Sequence, residues 1–141
     1  MRAIGLDFGE KSIGVSVSDP LGMIAQGLKT IRRKSWHADL EELRAIIDEY
    51  EADRLIVGLP RNMDGSFGPS AEKVQLFMKK LKIFNLPIEP VDERLTTVMA
   101  ERALLEGDVS RKRRKQVIDQ VAAALILQGY LDRLSRERKG D

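Results

Sequence analysis

The sequence predicts an α/β fold: a five-stranded mixed sheet, with a three-strand antiparallel meander and two parallel strands, flanked by helices in the order βββαβαβαα. Three observations predict it. Residues 11–18 alternate strictly, with Ile13, Val15 and Val17 on one face and Ser12, Gly14, Ser16 and Ser18 on the other, which is the period of a strand. Strand-like runs lie on both sides of this one, joined to it by short links rich in turn residues. Beyond residue 35 the period changes, and apolar strand-like runs alternate with stretches at helical spacing, as in parallel strands joined by helical crossovers.

In chain order, residues 2–8 form the first strand, and the link "FGEK" makes it a hairpin with residues 11–18. Pro20 and Gly22 mark a turn into a third strand over residues 23–33. Ser35 is placed to cap a helix carrying Trp36, Leu40, Leu43, Ile46, Ile47 and Tyr50 at helical spacing. "RLIVGLP" (54–60) is a buried strand stopped by Pro60, and "RNMDGSFGPS" a loop. A helix follows with Val74, Phe77, Met78 and Leu81 on one face, then a short strand, "LPIEPVD" (86–92), bounded by prolines. Thr96 or Thr97 can cap a helix ending near Gly107, and a last helix runs from about Arg113 to Ser135. Residues 1–135 therefore read as one domain and 136–141 as a flexible tail. In such sheets, sites form at the carboxyl ends of the parallel strands.

Composition narrows the function. A chain of 141 residues suits one domain with a real core. No apolar run approaches the ~20 residues of a membrane span, no signal peptide is recognisable, and there are no cysteines. A cytoplasmic protein without membrane partners, disulfides or thiol chemistry is expected. The net charge of +2 is unevenly spread: residues 1–110 hold 15 Lys+Arg against 18 Asp+Glu, whereas residues 111–141 hold 9 against 4. The basic block opens with "RKRRK" at 111–115, which suits a polyanion such as nucleic acid, or else the solvated start of a helix. The single histidine, His37, shares a polar helix face with Glu41, Arg44 and Asp48, which leaves neither a zinc site nor a catalytic triad. Trp36 and the methionines read as core.

Three acids stand out. Asp7 ends the first strand on a face that also carries the small residues Ala3 and Gly5. Glu93, beside Asp92, ends the last strand. Asp119 sits in "VIDQVAAALIL", a helical stretch apolar on almost every side, where an ionised acid is costly unless it is paired or binds a cation. If the last helix packs across the sheet, all three meet at one edge. Clustered carboxylates repel one another and favour a hard divalent ion, Mg²⁺ or Mn²⁺. Two such ions ~3.5–4 Å apart can clamp the attacking water and the leaving oxygen of a phosphodiester, with substrate phosphate completing their shells. Each acid also has a plainer reading: Asp7 as a turn acid, Glu93 paired with Arg94, Asp119 paired with Lys115 one turn earlier.

At this point the chain resembles the YqgF family, the RuvX-type pre-16S rRNA nucleases and Holliday junction resolvases of the ribonuclease H-like superfamily. The resemblance covers about residues 2–134 and rests on "GLDFGEKSIGVSVSD" (5–19), "IVGLPRNMDGSFGPSA" (56–71), "VDERLTT" (91–97) and "IDQVAAALILQGYLD" (118–132). The first motif is shared across the superfamily, whereas all four in this order and spacing are specific. The resemblance implies a ribonuclease H-like fold, a catalytic metal-binding set of Asp7, Glu93 and Asp119, and two-metal hydrolysis. The hairpin also resembles that of actin-like ATPases, but those need a second related domain.

Position then suggests substrate contacts. "MDGSFGPS" leads into a helix N-terminus that can receive a phosphate, with Asn62, Ser66 and Ser70 as neutral donors. Arg94, Thr96 and Thr97 flank Glu93, and Arg111, Lys112, Arg113, Arg114 and Lys115 precede Asp119. Helix caps and turns are the structural alternative for Ser70, Thr96, Thr97 and Asn62. Arg61 stands where the family favours an apolar residue. The expectation is a metal-dependent nuclease acting on structured nucleic acid, as a monomer or weak homodimer. The resemblance implies processing of the 5′ end of pre-16S rRNA. The alternatives are resolution of branched DNA in recombination and a non-catalytic nucleic-acid-binding module.

Overall fold

The computed structural model describes residues 1–61, 64, 66–92 and 111–138, the side chains of 111–116 excepted. Strands β1 (Ala3–Phe8), β2 (Ser12–Ser18) and β3 (Ala25–Arg32) are followed by α1 (Trp36–Tyr50), β4 (Arg54–Leu59) and α2 (Pro69–Lys80). A 3₁₀ turn (Leu81–Phe84), β5 (Ile88–Asp92) and α3 (Arg111–Arg138) complete the described elements. The five strands form one sheet in the order β3-β2-β1-β4-β5. β1 is antiparallel to β2, and β2 to β3, while β1, β4 and β5 run parallel. The sheet and its strand directions are those expected. The helix expected between Thr96 and Gly107 lies outside the described residues. Among those described, no helix is long and apolar enough to cross a membrane.

The boundaries differ where side chains compete with the ladder. Asp19 accepts hydrogen bonds from the backbone N–H groups of Met23, at 2.7 Å, and Ile24, at 3.2 Å. Both residues therefore belong to the turn, β3 begins only at Ala25, and Met23 is 63% exposed rather than in the core. The 3₁₀ turn after α2, closed by Asn85 in the left-handed region, had no sequence signal. α3 extends to Arg138, three residues beyond the expected end. The Ser35 cap is as expected, its side chain accepting from Ala38 N at 3.1 Å.

The two faces of the sheet are built differently. On one, Ile4, Leu6, Ile13, Val15, Ile31, Leu55 and Val57 pack against Leu43, Ile46 and Ile47 of α1 and Val74 and Phe77 of α2, with Trp36 packed at the margin. On the other lies α3, over Ala3 and Ile56, through Ile126, Leu127, Tyr130 and Leu131. The small alternate residues of β1 and β2 let this helix approach closely. A Cβ at Gly5 would sit 2.8 Å from Leu127 Cβ and 2.9 Å from the Ala123 carbonyl oxygen. The fully buried Ser16 hydroxyl donates to that same carbonyl at 2.7 Å, and the Ser18 hydroxyl accepts from Ala3 N at 2.8 Å. Buried polar groups so paired cost little.

A buried ion pair anchors the carboxyl end of β1. Asp39, 2% exposed, accepts from Arg33 Nε at 3.3 Å and Lys34 N at 3.0 Å. The Arg33 guanidinium lies over the Phe8 ring at 4.5 Å and the Trp36 ring at 4.6 Å. Removing one member of a buried pair leaves the other charge unpaired, so Asp39→Ala is expected to cost about 3–5 kcal/mol. Urea denaturation measures this, and a loss below about 1 kcal/mol would mean that water replaces the carboxylate freely. His37, by contrast, is solvated as expected, its imidazole 85% exposed and 3.1 Å from Glu41.

Candidate active site

Asp7 is the penultimate residue of β1 and stands directly opposite Gly14 of β2. Cross-strand partners direct their side chains to the same face, here the face covered by α3. The helix crosses this point so closely that a Cβ on Gly14 would lie 1.9 Å from the Asp119 carbonyl oxygen. Asp119 is therefore seated over the residue that faces Asp7, and two acids far apart in sequence come to neighbouring positions. Both are half-buried. The Ser12 hydroxyl, two residues from Gly14 on the same face, donates to Asp119 Oδ2. That bond fixes the carboxylate's orientation. Of the expected face of Asp119, Ala122, Ala123 and Ile126 are buried against the sheet.

Glu93 lies outside the described residues, as do Asn62, Arg94, Thr96 and Thr97. The strand leading to Glu93 is described. Asp92 pairs with Leu59 at the carboxyl end of β4, on the same edge of the sheet as the end of β1. Among the described residues no group of three or more acids, histidines or cysteines is placed to hold a metal. The donors present, two half-buried carboxylates, are hard oxygens of the kind Mg²⁺ and Mn²⁺ take.

A cleft of about 150 Å³ opens at the end of β1, between Phe8, Gly9, Pro60, Ser70 and Lys73. Lys73 of α2 forms an ion pair with Glu10 across its mouth. The hydrogen bond and charge of the Lys73 ammonium hold the Glu10 carboxyl below its usual range. Gly68 caps α2 without a side-chain bond, Pro69 in its first turn carries no N–H and Ala71 N donates to the Gly68 carbonyl oxygen at 3.0 Å, which leaves the Ser70 N–H at the helix end to meet an anion. Ser70 borders the cleft from within the first turn and is not the cap. Ser66 points elsewhere: its backbone N–H and hydroxyl donate to Asp64 Oδ1 at 2.9 and 2.6 Å. Arg61 stacks over Phe67 at 4.4 Å and stands 3.8 Å from Asp92, tying the loop to the end of β5. The basic run 111–115 forms the first turns of α3, with its side chains outside the described set.

Two features escaped the sequence. Ser12 was one of several small residues on an alternating face, and nothing local marked it as the partner of an acid 107 positions away. A groove of about 990 Å³ on the other side of Ser12 is lined by Lys11, Lys29, Arg32 and Arg33, among others. The cluster "RRK" at 32–34 was its only trace in the sequence.

A family model described as RuvX, Holliday junction resolvase, matches residues 1–133. A protein of Moorella thermoacetica named "Putative pre-16S rRNA nuclease" is 59% identical over 137 residues, covering 96% of this chain and 98% of its own length. A Clostridium kluyveri protein of the same name is 54% identical over 137 residues, covering 96% and 100%. Among solved structures, T. thermophilus RuvC in complex with a Holliday junction substrate superposes with a TM-score of 0.59 at 13% identity, over 96% of each chain. The fowlpox virus resolvase with Holliday junction DNA gives 0.56 at 12% identity, over 95% of this chain and 99% of its own. These last two share the ribonuclease H-like fold.

Proposed function

Because the chain belongs to the RuvX family, we propose that it is a metal-dependent nuclease that hydrolyses phosphodiester bonds of structured nucleic acid, its substrate being the 5′ leader of pre-16S rRNA. The observation that carries this reading is the seating of Asp119 over Gly14, opposite Asp7. Two acids brought to neighbouring half-buried positions offer a divalent cation the hard oxygens it takes. Relatives more than half identical over the full length bear the pre-16S rRNA name.

Asp7 and Asp119 hold divalent ions in this reading, with Glu93 as the third ligand, delivered by the segment that follows β5. When bound, such ions activate the attacking water and neutralise charge on the departing 3′ oxygen. The chain's own residues do the rest. Ser12 keeps the Asp119 carboxylate turned to the site by donating to Oδ2. The rigid β1–β2 pairing holds Asp7 in register. The open N-terminus of α2, with Ser70 beside it, receives a substrate phosphate in the cleft at Gly9. Arg94, Thr96, Thr97 and the basic run 111–115 hold the strand on either side, with Asn62 as a further donor. Ser66, bonded to Asp64, contributes only if it releases that acid.

Resolution of branched DNA is the second reading, favoured by the family model's description. It requires two sites acting together, hence a dimer. The test is cleavage of a precursor 16S leader RNA and of a four-way DNA junction, with Mg²⁺ or Mn²⁺ and with EDTA. Leader cleavage that EDTA abolishes is expected. Junction cleavage alone would transfer the function to recombination, and binding of both without cleavage would leave a non-catalytic module.

A further inference from the structure

The groove beyond Ser12 adjoins the seat of Asp119 through that serine. Its inner wall is Ser12, which bonds Asp119, and Gln120, the next residue of α3. Its outer wall is β3, an edge strand of the sheet. Ser12 stands opposite Arg32 and Gly14 opposite Thr30, so Arg32 and Thr30 share the face that carries Asp7. Across β1, β2 and β3, the row Asp7–Gly14–Thr30 spans two strand spacings, about 10 Å.

The charges of this groove are unevenly committed. Arg33 is held by the buried Asp39, and Glu10, the acid at the rim, is held by Lys73. Lys29 is 3.6 Å from Glu42 in a pair whose side chains are 43% and 44% exposed, a contact worth little in water. Lys11 and Arg32 are exposed and form no ion pair among the described residues. Two uncommitted cations therefore flank an open channel leading away from two acids. An anionic chain crossing the acid pair would meet these cations within one or two residues of its length.

We infer that this groove binds the sugar–phosphate backbone of the substrate strand on the side of the scissile bond toward β3, with Lys11 and Arg32 as phosphate ligands and Thr30 beside them. The inference rests on the nuclease reading above, which places the scissile bond at Asp7 and Asp119. It adds a second track to the contacts expected from 61–70, 94–97 and 111–115. Binding here is electrostatic and blind to sequence.

The experiment compares the wild-type chain with a Lys11→Gln/Arg32→Gln variant, and with Lys79→Gln/Lys82→Gln as an equal loss of exposed charge on α2 and the 3₁₀ turn. Fluorescence anisotropy follows a labelled leader RNA hairpin and a labelled four-way DNA junction in EDTA, from 50 to 200 mM salt. Loss of two phosphate contacts lowers the slope of log K against log salt by about 1.8 on a duplex, so the variant's deficit shrinks about tenfold across that range. The α2 variant is expected to keep the wild-type slope, and Lys11→Arg/Arg32→Lys to restore it. Equal slopes for wild type and the Lys11/Arg32 variant on both probes, or no binding by wild type, overturn the inference. Cleavage of the same probes in Mg²⁺ is scored separately. An unchanged slope with intact cleavage removes the groove and leaves the nuclease. A changed slope without cleavage removes the nuclease and leaves a backbone-binding groove.

Discussion

Asp7→Asn is expected to lower cleavage by more than about 100-fold, since even groups that only orient a metal ligand are worth 10–100-fold. The substitution keeps the shape of the side chain and removes its charge. It leaves the β1–β2 register, Gly14 and the seat of α3 untouched. The amide fills the same volume, so thermal stability is expected to hold within about 1 kcal/mol. Loss of activity with an unchanged Tm then separates a functional role from a structural one. Mn²⁺ titration by calorimetry gives a readout independent of turnover: its affinity falls in the variant if Asp7 is a ligand. Activity within a few-fold of wild type would sink the carboxylate mechanism outright.

Gly14→Ala is expected to be the most damaging substitution of a single methyl group. Its Cβ would sit 1.9 Å from the Asp119 carbonyl oxygen, 2.4 Å from the carbonyl carbon and 2.8 Å from Asp119 Cβ, where real Cβ atoms essentially never come within 3.0 Å. The obstacle is mainly backbone on both sides and cannot rotate away. Either α3 lifts from the sheet, separating Ser12 from Asp119, or β2 shifts out of register with β1. Overpacking of a close-packed interface costs about 1–3 kcal/mol and more where backbone must move, so a loss of about 3 kcal/mol is expected, with activity falling beyond what the folded fraction explains. Gly129→Ala is the matched control on the same helix: nothing lies within 4 Å of its Cβ, and relief of glycine's entropy is expected to stabilise by about 0.5–1 kcal/mol. Denaturation curves measure both variants. A Gly14→Ala protein as stable as wild type would mean that the helix does not seat at Asp119.

Much of this was legible in the residues. The alternation in 11–18 announced β2, and the helical spacing from Trp36 announced α1. The small residues of β1, Ala3 and Gly5, signalled that something would come close, as Leu127 and Ala123 do at Gly5. The four motifs sufficed to identify the family. The start of β3 was less legible, because Asp19 binds two backbone donors that the ladder would otherwise have used. The residues offer Ser66 as a neutral donor, and only the structure shows its hydroxyl donating to Asp64.

The sequence by itself determined the five strands, their order and their directions, and it singled out the acids as candidates. These follow from periodicity and turn chemistry, which act over a few residues. Only the tertiary structure decided that α3 lands with Asp119 over Gly14, that Ser12 binds that acid, and that Lys11 and Arg32 border one groove beside it. Those outcomes depend on where a helix from the far end of the chain settles on the sheet. The settling point is fixed by steric fit between backbones at Gly5 and Gly14, and a local pattern can mark such a position as small without naming what will fill it.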